Sequence, residues 1–412
     1  MKAQSAVLRV LEERREELIE FAGALVSAPS PNPPGDERQV VQVLAERVSQ
    51  FGLEPEVVAK APERPNLLVR LPGQGAGRRL ILNGHIDTKP PGDLEKWKTD
   101  PYTPTIFDGK MYGLGSVDMK GQAAALTYAA IALAEASAPF KGELILALSA
   151  DEENGSIYGA GYLVREHGLT ADAALVAEPS NISRDWEYMA LLSRGFTGFR
   201  IKVRGTQMHS SISDIMPSVN ASTKMAYVLW RLEKDLKIRF PPHPLCPGGI
   251  TVNPGVFLSG GVTYGVYPGY AEFGVDVRTL PGMTREGVRG DVEGFLDTLR
   301  REDPSLEVEM AFEDGPLGWN DASEISPQHP IVQAALRASE RVLGFQPALR
   351  GFPGGTDAGS FQGAGGIPTV PAFGPGLLPL AHSPNEYISV EGILQAAKVY
   401  ALTALFYLGE PA

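Results

Sequence analysis

The chain has 412 residues, of which 43% are hydrophobic and 21% are charged, and its formal net charge is −12 at pH 7. This composition excludes an intrinsically disordered chain and predicts buried cores in two or three domains. The acidic balance argues against a nucleic-acid-binding surface, and no apolar run approaches the roughly 20 residues that a membrane span needs.

Cysteine usage bears on the compartment. Cys246 is the single cysteine, so no disulfide bond can form within the chain, which favours a reducing environment. The first residues also lack the apolar stretch of a signal peptide. We therefore expect a cytoplasmic globular protein with neither a nucleic-acid nor a membrane partner.

The first 190 or so residues alternate between helix and strand patterns. Helical periodicity of apolar residues predicts helices at 5–27, 36–51, 121–136 and 157–167. Short apolar runs predict strands at 66–70, 79–83, 143–149 and 173–177. Alternating strands and helices indicate an α/β layer with helices on both faces of a sheet.

The pattern changes near residue 190 and changes back near residue 314. Between these points, strands are predicted at 197–203, 250–252, 256–258, 271–277 and 306–310, with helices at 217–234 and 284–301. Afterwards come a helix at 330–343, a Gly-rich stretch at 351–366, a strand at 369–370 and a last helix at 390–408. We therefore predict an α/β domain made of residues 1–189 and 314–412, with an α+β domain inserted at 190–313.

Acidic and imidazole side chains follow the predicted strands or precede the predicted helices. They are His85, Asp87, Asp118, Glu152, Glu153, Glu178 and His382. Ligands of α/β sheets bind at the carboxyl ends of the strands. Taken singly, each residue has a structural alternative, such as a histidine held in a turn or an aspartate that caps a helix. Together they form a nitrogen and oxygen ligand set that suits zinc, cobalt or manganese.

Glu152 and Glu153 are adjacent carboxylates that directly follow a buried strand. Burying both costs several kcal/mol each unless a cation compensates their charge. Neighbouring residues point in different directions, so one carboxylate can bind a metal ion while the other faces the reacting group. The pair therefore predicts a metal site with a separate acid/base, and a shared carboxylate elsewhere would fit two ions about 3.5–4 Å apart.

The order of these motifs resembles the M20 metallopeptidase family. The matching segments are His85-Ile-Asp87, Gly113-Leu-Gly-Ser-Val-Asp118-Met-Lys-Gly, Glu152-Glu153, Glu178-Pro and His382-Ser. The family includes acetylornithine deacetylase, succinyl-diaminopimelate desuccinylase, aminoacylase-1 and carboxypeptidase G2. The resemblance implies a zinc-exopeptidase-like α/β catalytic domain, with a central mixed sheet flanked by helices, and an inserted α+β domain that serves as lid and dimerisation surface.

The resemblance also implies roles for the motif residues. The implied ligands of two divalent metal ions are His85, Asp118, Glu153, Glu178 and His382, with Asp118 bridging the ions and its peptide bond to the next residue often cis. Zinc is the expected metal, with cobalt and manganese as alternatives. Glu152 is implied as the general acid/base and Asp87 as the residue that orients His85.

Further residues match positions that contact the substrate in the family. His209 resembles a lid histidine that reaches across a dimer to the scissile carbonyl oxygen, and Asn253 resembles a second lid contact. Arg278 lies where the family binds a substrate carboxylate, to which a guanidinium can pair bidentately. The structural alternatives are a surface histidine at 209 and a strand-end salt bridge at 278. Gly355 and Thr356 resemble the loop that meets the substrate backbone.

These roles imply a homodimeric metallo-amidohydrolase that cleaves small N-acyl amino acids, most similar to the acetylornithine deacetylase and desuccinylase branch. A dipeptidase or carboxypeptidase of the same family, acting on short peptides, is the alternative within this class. A non-catalytic relative that binds amino-acid derivatives and a scaffold protein are the alternatives from other classes. The non-catalytic relative would lack a ligand or the acid/base, and none of those residues is missing here.

Overall fold

The computed structural model describes residues 2–409. Its α-helices are α1 (Lys2–Glu13), α2 (Arg15–Val26), α3 (Arg38–Gln50), α4 (Gly121–Glu135), α5 (Ala160–Arg165), α6 (Ala221–Asp235), α7 (Arg285–Glu302), α8 (Gly315–Gly318), α9 (Pro330–Leu343), α10 (Ala358–Gly363) and α11 (Val390–Leu408).

The strands alternate with these helices along most of the chain. They are β1 (Pro55–Ala59), β2 (Pro65–Pro72), β3 (Arg79–His85), β4 (Thr105–Phe107), β5 (Lys110–Tyr112), β6 (Glu143–Ser149), β7 (Ala173–Val176), β8 (Pro179–Asn181), β9 (Tyr188–Ser193), β10 (Gly195–Arg204), β11 (Met208–His209), β12 (Thr251–Gly260), β13 (Val266–Tyr267), β14 (Tyr270–Thr279), β15 (Glu307–Phe312), β16 (Ser323–Glu324), β17 (Ala348–Phe352), β18 (Thr369–Val370), β19 (Gly374–Leu377) and β20 (Tyr387–Ser389).

The chain divides into two compact units. One contains the residues up to Ser193 and those from Ser323 onward, and the other is Arg194–Ala322. The boundaries expected from the sequence, 189/190 and 313/314, lie upstream of these positions. The first differs because β9 pairs along its length with β16 and β17 and so stays in the discontinuous unit. The second differs because α8 contacts β10 of the inserted unit.

The discontinuous unit is built on a six-stranded mixed sheet with the order β1-β2-β6-β3-β7-β18. Strands β6, β3, β7 and β18 are parallel, whereas β2 is antiparallel to β6 and β1 is antiparallel to β2. The predicted α/β fold with a central mixed sheet is confirmed. In the sequence, its parallel strands are continuous apolar runs, because helices cover both faces of the sheet.

Helices cover both faces of this sheet. On one face, Ile81 and Ile145 pack with Leu163 of α5 and Phe361 of α10 in a common apolar cluster. On the other face, α4 and α11 contact β3 and β6 and also each other. Both of these helices are apolar on nearly all sides, as their positions inside the unit require.

The register of the parallel strands brings their carboxyl ends to one edge. His85 at the end of β3 lies opposite Ser149 at the end of β6. Asn83 of β3 lies opposite Val176 at the end of β7. The segments that follow these three strands therefore begin side by side.

The inserted unit is an antiparallel sheet with two long helices against it. Its strand order is β12-β14-β10-β15. Ile201 of β10 and Val275 of β14 share a buried core with Val228 of α6 and Leu296 of α7. Strand β12 forms one edge of this sheet and β15 forms the other.

Several predicted elements differ from those in the structure. The helix expected at 5–27 is two helices, because Arg14 between them has φ −102° and ψ 17°. The helix expected at 157–167 is only α5, since Ser156 has φ +61° and Gly159 is not helical. The strands expected at 250–252 and 256–258 are one strand, β12, whose register against β14 shifts between Pro254 and Leu258.

Some elements had no local signal in the sequence. Strands β1, β9 and β17 were not expected, and α10 lies inside the Gly-rich stretch at 351–366. Glycine is a weak helix former, so α10 depends on tertiary packing, above all on the fully buried Phe361. Among residues 2–409, the structure contains no helix with the length and apolar character that crossing a membrane requires.

Candidate metal centre

The carboxyl edge of the central sheet brings together five side chains that the sequence singled out as ligands. The donor atoms of His85, Asp118 and Glu178 all lie within 4.8 Å of one another, and so do those of Asp118, Glu153 and His382. Asp118 belongs to both groups. The structure therefore assembles two adjacent three-residue groups that share one carboxylate.

The first group is deeply buried. His85 Nε2 lies 2.9 Å from Asp118 Oδ1 and 3.5 Å from Glu178 Oε1. His85 Nδ1 lies 3.0 Å from the main-chain oxygen of Asp87, which can only accept a hydrogen bond. A ring that binds a metal ion through Nε2 would carry its proton on Nδ1 and donate it to this main-chain oxygen, with Nε2 facing the two carboxylates.

The second group is more open. His382 Nε2 lies 3.2 Å from Asp118 Oδ2 and 3.0 Å from Glu153 Oε1, and the His382 side chain is 48% exposed. The two oxygens of Asp118 thus face different histidines. A carboxylate that bridges two ions needs this arrangement.

The clustered carboxylates of the centre would be stabilised by a positive charge. Burial and then the charge of Asp118 raise the pKa of Glu178 well above its usual value. Burial opposes ionisation of Asp118, but hydrogen bonds with His382 and His85 outweigh it and lower the pKa of Asp118. Burial lowers the pKa of His382, yet Asp118 and Glu153 outweigh it and raise that pKa to about 10. Clustered carboxylates with imidazole nitrogens are a donor set that fits divalent ions.

Glu152 is beside the ligand groups but belongs to neither. Its Oε2 lies 4.0 Å from His85 Nε2, and its side chain is 16% exposed. Burial and the neighbouring charge of Glu178 raise the pKa of Glu152 well above its usual value. A carboxyl group with a raised pKa that is not a ligand is suited to proton transfer.

Asp87 holds the turn that carries Glu152 and Glu153. Its two carboxylate oxygens accept hydrogen bonds from the main-chain N–H groups of these residues, each at 3.2 Å. Its Oδ1 also lies 3.5 Å from His85 Nδ1. Asp87 therefore contacts the histidine it was expected to orient, and most of its hydrogen bonding goes to the acidic turn.

Residues that the sequence did not single out support this turn. Asn32 Nδ2 donates to Asp87 Oδ2 at 2.8 Å and to Asp151 Oδ1 at 3.0 Å. The buried Arg64 guanidinium contacts the same Asp151 oxygen at 3.0 Å and pairs with Glu37 at 2.7 Å. Asn32 lies between the helices predicted at 5–27 and 36–51, and no local pattern distinguishes Arg64.

Lys89 was also not expected at the centre. Its Nζ donates to the main-chain oxygen of Glu153 and lies 3.3 Å from Glu153 Oε2. It follows Asp87 by two residues, in the loop after β3. A lysine that closely follows a predicted ligand was a signal that sequence reasoning could have used.

A glycine turn places Asp118. Gly115 has φ +77°, and a Cβ there would lie 2.5 Å from Thr88 Cγ2, so only glycine fits. The Gly115 N–H donates to the buried carboxylate of Glu386. The Asp118–Met119 peptide bond is cis, as the family resemblance implied.

The predicted lid residues lie in the inserted unit. His209 is exposed, and its Nδ1 accepts hydrogen bonds from the N–H of Ser211 at 3.3 Å and from its hydroxyl at 2.8 Å. Asn253 is an exposed residue of β12. Arg278 pairs with Asp276, with two contacts of 3.2 Å, and its guanidinium lies over the Phe196 ring.

Gly355 and Thr356 lie between β17 and α10, in the same unit as the ligand groups. Gly355 is half-buried, whereas Thr356 is only 3% exposed. The Thr356 hydroxyl accepts a hydrogen bond from the N–H of Ala358 at 3.3 Å, at the start of α10.

Comparison with known proteins identifies the family of the chain. The family model of Peptidase family M20/M25/M40 matches residues 81–405. The chain belongs to this family. It is accordingly a metallo-amidohydrolase, and the resemblance identified from the motifs is confirmed.

Two relatives and one solved structure illustrate the range of the M20 family. N-formyl-4-amino-5-aminomethyl-2-methylpyrimidine deformylase of Bacillus subtilis is 30% identical over 94% of this chain and 94% of its own. Succinyl-diaminopimelate desuccinylase of Thioalkalivibrio sulfidiphilus is 27% identical over 93% and 96%. The dipeptidase Dug1p of Saccharomyces cerevisiae shares the fold, with a TM-score of 0.77, 18% identity and full coverage of both chains.

Proposed function

We propose that the chain removes the acyl group from small N-acyl amino acids by hydrolysing their amide bond. The observation that carries this proposal is the pair of ligand groups sharing Asp118, with Glu152 beside them and outside both. Two divalent ions would be held by His85, Asp118, Glu153, Glu178 and His382. Zinc is the proposed metal because imidazole and carboxylate ligands suit it, with cobalt and manganese as alternatives. When bound, such ions activate a water molecule and polarise the amide carbonyl.

Glu152 is the proposed general acid/base. Its carboxylate takes a proton from the attacking water and then gives that proton to the leaving amine. The Asp87 hydrogen bonds to the N–H groups of Glu152 and Glu153 keep the main chain of both residues in one position. The two neighbours can therefore serve different roles from a single rigid turn.

His209 is the proposed donor to the oxyanion that develops on the carbonyl oxygen. Its Nδ1 accepts the Ser211 N–H, which has no acceptor capacity, so the proton of the neutral ring is on Nε2. An exposed Nε2–H is the group that such a donor needs. We propose that it acts on the active site of a partner subunit, within a homodimer.

The remaining proposed substrate contacts are Arg278, Asn253, Gly355 and Thr356. The pairing of Arg278 with Asp276 uses its Nε and Nη2 atoms, which leaves Nη1 for a substrate carboxylate. Asn253 is exposed and available. The half-buried Gly355 is better placed to meet a substrate backbone than Thr356, whose hydroxyl is engaged with α10.

Two of the relatives support deacylation over peptidase activity. A deformylase and a desuccinylase both remove an acyl group from an amine. A dipeptidase or carboxypeptidase of the same family remains the second candidate, and the yeast dipeptidase supports only the common fold. A cytoplasmic location, which the lone cysteine favours, also stays a prediction.

A substrate panel tests this function. The purified chain is loaded with zinc, cobalt or manganese and assayed with N-formyl, N-acetyl and N-succinyl amino acids and with dipeptides. We expect amine release from at least one N-acyl compound and none from the chelator-treated protein. Turnover of dipeptides alone would reject the deacylase assignment in favour of the second candidate.

A further inference from the structure

Asp357 is a buried carboxylate that the proposed mechanism leaves without a role. It is 1% exposed, and its carboxylate makes no ion pair among the residues that the structure describes. Its hydrogen bonds come from two serine hydroxyls. Ser149 Oγ donates to Asp357 Oδ2 at 2.5 Å, and Ser156 Oγ donates to Asp357 Oδ1. Burial raises the pKa of Asp357, because a buried carboxyl group without a cationic partner is costly in free energy, so its position calls for a specific reason.

The two serines flank the acidic turn. Ser149 is the last residue of β6, and Ser156 follows the helical turn of Glu152–Asn154. Both serines are buried, at 0% and 3% exposure. A single carboxylate therefore closes both ends of the segment that carries Glu152 and Glu153.

The hydrogen bonds of Asp357 with Ser149 and Ser156 form a clamp around the turn, and the donor in the Ser149 bond can be identified. Asn83 Nδ2 donates to Ser149 Oγ at 2.9 Å. An amide N–H can only donate, so Ser149 accepts there. Its own hydroxyl proton has two acceptors in reach, and Asp357 at 2.5 Å is much nearer than the main-chain oxygen of Gly84 at 3.4 Å. The arrangement is a chain of hydrogen bonds from β3 through β6 to the residue before α10.

Asp357 is itself held on a rigid element. Its main-chain oxygen accepts from the N–H groups of Ser360 and Phe361 at 3.0 Å each. Phe361 is fully buried against the central sheet. Asp357 also directly follows Gly355 and Thr356, so the loop proposed to meet the substrate and the turn that carries the acid/base share this anchor.

We propose that Asp357 is a positioning residue that fixes the acidic turn through Ser149 and Ser156 and holds it in register with the loop of Gly355 and Thr356. This inference rests on the proposed function in so far as Glu152 moves the proton. Asp357 acts without touching the substrate. Its loss should misplace Glu152, whereas Glu153 is also held by Lys89 and His382, so the ligand groups should stay intact.

The decisive variants are Asp357→Ala and the double variant Ser149→Ala/Ser156→Ala, both studied as metal-loaded full chains. We expect kcat to fall by about 100-fold, the effect of misplacing a catalytic group by roughly 1 Å. We expect KM to stay within about threefold of the wild-type value and metal content to be unchanged. Because both variants break the same clamp, adding Asp357→Ala to the double variant should cause little further loss.

A conservative and a matched control variant separate positioning from general damage. Asp357→Asn keeps the shape and one acceptor oxygen, so its kcat should lie between those of the wild type and Asp357→Ala. Ser339→Ala removes another fully buried serine hydroxyl, which bonds only within α9, and should leave kcat unchanged. If Asp357→Ala does not fold, Asp357→Asn and the serine variants decide the question.

Hydrogen exchange supplies a readout that needs no substrate. The amides of residues 149–158 should exchange faster in Asp357→Ala and in the double serine variant, but not in Ser339→Ala. Unchanged exchange, wild-type kcat or an effect on KM alone would each overturn the proposal. If the wild type turns over no N-acyl compound, the proposed function fails, and the exchange measurement still decides whether Asp357 holds the turn.

Discussion

At the scale of single residues, adjacent glutamates acquire different environments. Glu153 lies 3.0 Å from His382 within a ligand group, whereas Glu152 lies outside both groups. Their main-chain N–H groups bond to different oxygens of the same Asp87 carboxylate. One side chain is therefore available to a metal ion and the other to a proton.

The first prediction tests this division. Glu152→Gln should retain both metal ions and lower kcat by about 10²–10⁴-fold, since the amide cannot take up the proton. The measurements are steady-state kinetics on the substrate found by the panel and metal analysis of the purified protein. Glu153→Gln is the matched variant and should lose metal. Near-wild-type turnover by Glu152→Gln would remove Glu152 from the mechanism.

The second prediction concerns pH and Glu37. Burial raises the pKa of Glu37 to about 7, against the opposing effect of its hydrogen bonds from Arg64. A carboxyl group whose pKa is higher in the folded state stabilises the fold when protonated. That contribution is complete below its ordinary pKa, about 4.5, and is lost as the pH rises through about 7.

The effect should be visible in unfolding experiments. Between pH 4.5 and 7.5, the free energy of unfolding should fall by on the order of 1–3 kcal/mol because of this group. Urea denaturation of Glu37→Gln should show a shallower dependence on pH over that range, while the Ser339→Ala control keeps the wild-type slope. Equal slopes in Glu37→Gln and the wild type would contradict this prediction.

At the scale of elements, the centre exists because parallel strands end together. The residues after β3, β6 and β7 start from one edge of the sheet. Arg64, just before β2, links the start of α3 to the turn after β6 through Glu37 and Asp151. These three elements are distant in sequence, and a single buried guanidinium connects them.

The third prediction is that this connection contributes strongly to stability. Arg64→Met leaves Glu37 and Asp151 buried without their cation and should lower the free energy of unfolding by about 3–5 kcal/mol. Arg70→Met is the matched control, because Arg70 lies in the same strand region and makes only exposed pairs of 3.4 and 3.5 Å. It should cost less than about 1 kcal/mol. Equal losses in the two variants, measured by urea denaturation, would refute the role of Arg64.

Elements with strong periodicity or long apolar runs were predicted well. The last helix was expected at 390–408 and is α11, and the strand at 143–149 is β6. Short elements were missed when their partners were distant. Strand β9 pairs with β16 and β17, both more than a hundred residues later, and local patterns cannot indicate such pairing.

At the scale of the whole molecule, the two edges of the inserted sheet differ in chemistry. On β12, Val256 and Leu258 are each 58% exposed. On β15, the exposed residues are Glu307 and Glu309, and Glu309 pairs with Arg204 at 3.2 Å. Charged edge strands resist pairing with another chain, and apolar ones favour it. This contrast supports β12 as the surface of the proposed dimer.

The fourth prediction follows from this contrast. Val256→Lys/Leu258→Lys should convert a dimer to a monomer in sedimentation experiments, because the lysines would place like charges across the interface. Glu307→Lys on the opposite edge should remain dimeric. A wild-type chain that is monomeric at all concentrations, or a dimeric double variant, would rule out this surface.

The sequence by itself indicated the α/β class and the discontinuous arrangement of the two chain ends, because apolar runs specify buried strands. The polar residues that end these strands were candidates on local chemistry, and the resemblance to the M20 family singled out the five of them that converge as candidate ligands. Tertiary structure alone decided that Asp118 presents one oxygen to His85 and the other to His382. It also decided that Asn32, Arg64 and Asp357 support the acidic turn. Those contacts join segments separated by dozens to hundreds of residues, and only the packed sheet and helices bring them within hydrogen-bonding distance.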